Sequence, residues 1–433
     1  MSVLRGIRSG SYNTLLGNVA ARVGALVSLS LATLVVARHG GPAAVGVYAL
    51  LRVFPSLVGV TISCGLPGAT AYFLAGADRS NRRLPLTILG IAIAGGCTGA
   101  LVWLVASPLL HRYLFSDLTL PIVALASFAV ITRVLVATAK SCSQGTNDLR
   151  GSNRVIVTEE LMFLPVYGIL WAAGGRSLGA LVLALLLADV LTASLAWGRL
   201  VRRRFFAGAG RPSLELARRI SGYGWRAQIG GFVMLLNLRL DFVLISVMTG
   251  PAVLGVYAIA SKYAELVKVL SLALSYVLYP KFAAEPLARA AQTARRMLPI
   301  AGGATAAMVI PLFIAAPFVI PALYGEAFHA AVTPAEIILL GLVVDGVGGV
   351  ITGFLYGAGR PGLNSIAMSL GLVVTLVLDL VLIKPFGATG AATASAAAYL
   401  TTTAALVWFF WRERSPVRVV TAEVVPVSSL DAP

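Results

Sequence analysis

Apolar stretches of about 20 residues or more alternate along this chain with short segments of Gly, Pro and charged residues. A helix of that length, at 1.5 Å per residue, matches the roughly 30 Å hydrocarbon core of a bilayer, so each stretch predicts a membrane-spanning helix. Twelve are expected, near 12–37, 45–75, 85–107, 118–142, 155–174, 177–198, 220–247, 252–280, 297–322, 333–357, 364–383 and 388–411. The first is too long for a signal-peptide core and lacks an Ala-x-Ala exit site, so it reads as a retained helix. The fold class is an all-α polytopic membrane protein.

One phrase occurs twice. Gly41-Pro42-Ala43-Ala44-Val45-Gly46-Val47-Tyr48-Ala49 returns as Gly250-Pro251-Ala252-Val253-Leu254-Gly255-Val256-Tyr257-Ala258, with seven of nine residues identical at an offset of 209. Six expected helices separate the copies, an even number, so both lie on the same side of the membrane and the two halves run parallel about an axis along its normal. The expected organisation is an N-terminal six-helix lobe over 1–205, a linker over 206–219, a C-terminal six-helix lobe over 220–411 and a disordered cytoplasmic tail over 412–433.

Composition strengthens this reading. Hydrophobic residues make up 58% of the chain and charged residues 12%, with a mean hydropathy of +0.89. No soluble core absorbs that much apolar surface. The net charge of +17 is explained by topology rather than nucleic acid: 23 of the Lys and Arg residues flank the spans on one side and 4 on the other. That bias places both termini in the cytoplasm. Cys64, Cys97 and Cys142 lie in apolar segments without metal-binding spacing, and no metal site is expected.

Seven bases remain inside the spans: Arg22, Arg52, Arg133, Arg226, Arg239, Lys262 and Lys268. Asp189, Asp241, Glu265, Asp345 and Asp379 are read as the acids that accompany them. A charge at a helix centre costs about 2.5 to 3.5 kcal/mol on insertion scales, so such residues line a pathway or pair with one another. Arg226 is close enough to a helix end to snorkel; Arg22, Arg52 and Arg133 are deeper. Tyr257, Ser261, Glu265 and Lys268 form a polar stripe in helical spacing, with Lys262 three residues before Glu265 and Glu265 placed to neutralise one lysine in part. The 209-residue offset matches Tyr48 to Tyr257 and Arg52 to Ser261, beside Lys262, so each half presents a base beneath its Gly-Pro-Ala turn. Asn237 and Asp241 share an arc of the seventh helix while Arg239 points elsewhere. Asp189, Asp345 and Asp379 stand isolated, as buried hydrogen-bonding groups or ion-coupling sites. Pro55, Gly59, Gly65, Pro67 and Gly68 are expected to interrupt the second span, and Pro311, Pro317 and Pro321 the ninth.

Further phrases carry a resemblance: Ala37-Arg38 before the first repeat; Gln144-Gly145; Leu236-Asn237-Leu238-Arg239-Leu240-Asp241 before the second; Tyr279-Pro280; Gly357-Ala358-Gly359-Arg360-Pro361; and Leu382-Ile383-Lys384-Pro385-Phe386-Gly387 with Gly390-Ala391-Ala392-Thr393-Ala394. In their order across the chain they resemble the polysaccharide-export branch of the MOP superfamily, which also contains MATE drug exporters and lipid II flippases. The resemblance implies two lobes around a central cavity that alternates between membrane sides, in a bacterial cytoplasmic membrane. It implies an oligosaccharide on a polyprenyl diphosphate as substrate, and polysaccharide polymerase and assembly proteins as partners. Lipid II flippases tend to carry two arginines in the first helix, whereas Arg22 is followed here by Ser28 and Ser30.

Bases outnumbering acids in the spans suit an anionic diphosphate, through charge-assisted hydrogen bonds, together with membrane lipids. Arg22, Arg52, Arg133, Arg239, Lys262 and Lys268 are the candidate head-group ligands; Asn237, Asp241, Glu265, Asp189, Asp345 and Asp379 are the candidate cavity or ion-coupling residues. No Gly-x-x-x-x-Gly-Lys-Ser/Thr phrase supports ATP drive, no cofactor is called for, and proton or sodium coupling stays open. A drug or cation antiporter and a non-transporting scaffold are the competing readings. His39, His111 and His329 are too scattered for catalysis.

Overall fold

A computed structural model describes residues 9–76 and 80–413, with side chains throughout except at 9–16, 19, 227–239, 276 and 413. The expected tail from residue 414 onward lies outside the described residues. In chain order the helices are α1 (Ser9–Ile62), α2 (Leu66–Ala75), α3 (Leu84–Tyr113), α4 (Leu120–Leu125), α5 (Ser127–Gly145), α6 (Leu149–Leu161), α7 (Phe163–Ala172), α8 (Leu178–Arg202), α9 (Leu214–Thr249), α10 (Pro251–Ala264), α11 (Lys268–Ala284), α12 (Leu287–Tyr324), α13 (Val332–Leu342), α14 (Asp345–Gly357) and α15 (Pro361–Glu413). Short 3-10 turns occupy Glu265–Val267 and Glu326–Ala331.

Among the described residues eight helical stretches are long and apolar enough to cross a membrane, or nine if the pair bent by 43° between Leu342 and Asp345 counts as one span. That is fewer than twelve, and part of the difference lies in how α1 and α15 are built. At 1.5 Å per residue, 54 residues of straight α1 would extend roughly 80 Å, far beyond a bilayer. The helix is instead interrupted by a kink at Gly41, whose φ of 68° and ψ of −166° are accessible to glycine at little cost. Gly387, with φ 55°, divides α15 in the same way. Gly250, with φ 93°, separates α9 from α10, and Pro251 follows at the start of α10, where a missing N–H costs nothing. Both copies of the repeated phrase are thus left-handed glycine turns that launch a helix.

The copies also pack on one another. A Cβ on Gly46 would collide with the carbonyl oxygen of Pro251, and a Cβ on Gly255 with that of Pro42. The contact is reciprocal: each phrase offers its glycine to the other's proline, as a two-fold axis requires. Small residues permit this backbone approach. Around it a continuous core joins Val36, Tyr48 and Leu50 to Ile245, Leu254, Tyr257 and Ile259. Three further bonds join the halves, two from the Arg38 guanidinium to the carbonyls of Ala322 and Leu323 at the end of α12, and one from Ser246 to the Leu114 carbonyl.

Three details differ from the sequence expectation. The second span does break, at Cys64 (φ 51°) and Gly65 (φ 67°), but α12 runs unbroken through Pro299, Pro311, Pro317 and Pro321. Proline is tolerated inside long apolar helices where neighbours accommodate the freed carbonyls. The expected linker is half helix: α9 begins at Leu214, capped by Ser213, and Leu216 and Ile220 are buried with Leu66, Phe73, Leu84 and Ile88 of the first half. Their apolar side chains dock the start of α9 there, as a free linker would not. The eighth span is two helices, α10 and α11, joined by the 3-10 turn at Glu265.

Candidate functional site

The two repeated turns each lead down to a buried tyrosine, and different polar groups surround each one. Tyr48 lies seven residues past Gly41 and is 1% exposed. One turn further, the Arg52 guanidinium stands 5.6 Å from the Tyr48 ring centroid and donates to both oxygens of Glu160 on α6 at 2.5 Å. The Lys262 ammonium, from the other half, lies 5.9 Å from the same centroid and donates to the Thr33 hydroxyl. At 1.5 Å per residue both bases sit roughly 16 to 18 Å below their glycine turns, near the middle of a bilayer. The sequence offset predicted a base beneath each turn, and the fold brings the two bases to one aromatic face at the seam between the halves.

Below this pair a second ion network continues through the first half. Arg133 on α5 is 3.0 Å from Asp189 on α8 and 3.2 Å from Glu159 on α6, and Lys140 reaches Glu159 at 3.4 Å. Asp189 is therefore not isolated, correcting the sequence expectation. Its partner lies some fifty residues earlier in the chain, beyond the reach of local spacing.

Tyr257, also 1% exposed, has the opposite surroundings. Its hydroxyl donates to Asp241 on α9 at 2.5 Å and lies 2.8 Å from the Ser395 hydroxyl on α15. Asp379 and Ser395 stand eight residues either side of Gly387 in α15, and the Asp241 charge acts on Asp379. Asp379 is fully buried, and neither carboxylate oxygen has a hydrogen-bond partner among the described residues. Lys268 donates to the Tyr399 hydroxyl at 2.9 Å, with its ammonium 4.2 Å from that ring centroid.

The remaining candidates are dispersed. Arg22 is exposed on the first arm of α1. Asp345 begins α14, where one carboxylate oxygen is buried without a partner among the described residues. The side chains of Asn237 and Arg239 lie outside the described residues. Glu265 stands beyond direct ion-pair distance of Lys268 among the described residues, yet its charge still acts on that lysine, so the neutralisation there is partial, as the spacing implied. From Glu265 the 3-10 turn advances three residues per turn instead of 3.6, which rotates Lys268 relative to the stripe.

Sequence reasoning missed Glu159, Glu160, Thr33, Ser395 and Tyr399. The two glutamates carried a signal, as adjacent carboxylates inside the expected span 155–174. They correct the charge inference as well: in the first half, Arg52 and Arg133 are matched by Glu159, Glu160 and Asp189, so the interior there is not an excess of free bases.

Helical halves that share a repeated phrase, packed glycine to proline on one face and holding a paired ion network in one and buried carboxylates in the other, define a multi-pass membrane protein of the MATE and MOP superfamily fold. The chain belongs to the polysaccharide biosynthesis protein family, which matches residues 35–333. It is similar to the probable low-salt glycan biosynthesis flippase Agl15 of Haloferax volcanii, at 24% identity over 381 residues, covering 85% of this chain and 76% of that protein. An inward-facing multidrug-resistance MATE transporter of the MOP superfamily superposes with a TM-score of 0.72 at 16% identity, over 90% of this chain and 94% of that one. The lipid II flippase MurJ, in an inward closed conformation, gives 0.68 at 13% identity, over 92% and 87%.

Proposed function

We propose that this protein is a flippase that carries a glycan linked to polyprenyl diphosphate across the cytoplasmic membrane by alternating access. The observation that carries the reading is the convergence of Arg52 and Lys262, one from each half, on Tyr48 at the seam. An anionic head group entering between the halves meets a cation from each, and parting of the halves separates those cations. Binding and conformational change are thereby coupled. Membership of the polysaccharide biosynthesis family and likeness to a glycan biosynthesis flippase support the choice of substrate class.

In this reading α1 and α15 each cross twice, the chain makes twelve passes in two lobes, and the arginine-rich face with both termini lies in the cytoplasm. The chemistry is transport rather than catalysis, with glycan-assembly proteins as partners. Asp241, Tyr257, Ser395 and Asp379 are the proton- or sodium-coupling group, because the buried Asp379 carboxylate, with no hydrogen-bond partner among the described residues, attracts a cation.

Translocation of a polyprenyl-diphosphate-linked oligosaccharide in proteoliposomes tests the proposal. Arg52→Ala and Lys262→Ala are each expected to slow it about tenfold or more while the protein inserts normally. Unchanged translocation in both variants would overturn the head-group assignment. Efflux of organic cations with no glycan translocation would establish the antiporter reading instead.

A further inference from the structure

Away from the seam, a cavity of about 320 Å³ opens between α6 and α8 at the arginine-rich end of the first half. Its lining is Gly151, Arg154, Val155 and Thr158 on α6, at helical spacing along one face, and Thr192, Leu195, Ala196, Arg199, Arg202 and Arg203 on and just after α8. Four guanidinium groups therefore surround one opening. Positive-inside bias accounts for arginines at this end of the protein, but not for their gathering around a cavity.

Asp148 organises the rim. It caps α6 by accepting from the Gly151 N–H at 3.0 Å and holds Arg199 through two bonds, at 2.9 and 3.1 Å, with Arg203 at 3.5 Å. Burial works against the Asp148 carboxylate, yet the hydrogen bonds from Arg199 and Gly151 and the charges of Arg199 and Arg203 hold its pKa below the ordinary value. A Cβ at Gly151 would collide with this carboxylate, so glycine lets the rim close up. One acid thus fixes two arginines, while Arg154 and Arg202 have no carboxylate partner among the described residues. A second observation comes from deeper in the cavity. Thr192, two turns inside Arg199 and 1% exposed, has a buried hydroxyl with no hydrogen-bond partner among the described residues.

We propose that this cavity is a phosphate-ester site, separate from the central translocation path. Guanidinium groups with their fork of N–H donors bind phosphate oxygens, Thr192 closes the inner end of the cavity, and Leu195 and Val155 give an apolar wall to the ester substituent. The volume exceeds that of a bare phosphate and suits a phosphate carrying a small organic group. Two sources share this chemistry: the head group of an anionic lipid in the adjoining leaflet, and a soluble phosphate ester.

Native mass spectrometry of the purified full-length protein, titrated in separate arms with dihexanoyl-phosphatidylglycerol, inorganic phosphate and dihexanoyl-phosphatidylcholine, tests the site. Saturable binding of phosphatidylglycerol, weakened about tenfold in Arg154→Gln/Arg202→Gln, is expected. Phosphatidylglycerol binding without inorganic phosphate binding identifies a lipid head group; binding of both identifies a soluble phosphate ester. The control Arg211→Gln/Arg218→Gln removes equal charge from exposed positions outside the cavity. Equal weakening in that control, equal binding of phosphatidylcholine, or no saturable anion binding would overturn the proposal. Because both variants leave Asp148 and its pairs intact, loss of fold is not the expected cause of weakened binding, and an unchanged unfolding midpoint verifies it.

Discussion

Tyr48 and Tyr257 end the same phrase, begin the same stretch of helix after the same left-handed glycine, and are equally buried. Their surroundings are nevertheless opposite. Tyr48 offers its ring face to two cations, whereas Tyr257 offers its hydroxyl to a carboxylate and a serine. The repeated turn fixes the backbone and the packing of the halves against each other. It leaves open which part of the tyrosine is used, and the neighbours decide that. One repeated phrase can in this way hold a tyrosine ring beside two cations in one half and a tyrosine hydroxyl beside a carboxylate in the other.

The comparison is broken most severely by removing the acid that supports the cationic side. Glu160→Leu leaves Arg52 buried and without its carboxylate, and loss of one partner of a buried pair costs about 3 to 5 kcal/mol. Thermal unfolding of the detergent-solubilised protein should show the largest fall in midpoint for this variant. Adding Arg52→Leu should restore most of it, because the double variant carries no unpaired charge. Failure of the double variant to recover would mean that Glu160 acts through contacts other than Arg52.

Tyr257→Phe is next, at about 1 to 3 kcal/mol, because it keeps the ring but deprives the buried Asp241 carboxylate of one of its donors, the Phe242 N–H remaining. A loss smaller than that of the corresponding Tyr48 variant would contradict the contrast between hydroxyl and ring. Asp148 provides a reference outside the membrane. Asp148→Ala removes a helix cap, for about 1 kcal/mol. Its folded pKa lies below the unfolded value of about 3.9, so the carboxylate stabilises the fold above that pH and the contribution disappears as pH falls through the folded value. The wild-type unfolding midpoint should drop more steeply below pH 4 than that of Asp148→Ala; parallel curves would remove Asp148 as the source.

Much of the fold was legible because membrane helices write themselves locally, as apolar length, and their breaks as glycine with proline. The turns at Gly41 and Gly250, the parallel relation of the halves and the base beneath each turn all follow from such signals. The partners of those bases do not. Glu160 meets Arg52 from a helix more than a hundred residues away, and Tyr399 meets Lys268 across a similar distance. Helical spacing also gave no warning of the 3-10 turn that starts at Glu265, which rotates Lys268 and everything after it relative to an ideal helix. Proximity between helices is settled by how the bundle packs, and one sequence carries no local mark of it.

Tyr48→Phe is expected to have the smallest effect, within about 0.5 kcal/mol of wild type, because the face that Arg52 and Lys262 approach survives the change. The informative partner is Tyr48→Leu, which keeps an apolar side chain of helix-forming type but abolishes the quadrupole. It should cost more than Tyr48→Phe, by about 0.5 to 2 kcal/mol for the lost cation–π attraction in a desolvated site and by further packing loss against Phe163. Packing can be separated by repeating both substitutions in the Arg52→Leu/Glu160→Leu background, where one cation is gone. If the gap between Leu and Phe narrows there, the ring serves the cations; if it stays the same, Tyr48 is a space-filling residue and the resemblance to Tyr257 extends only to the backbone.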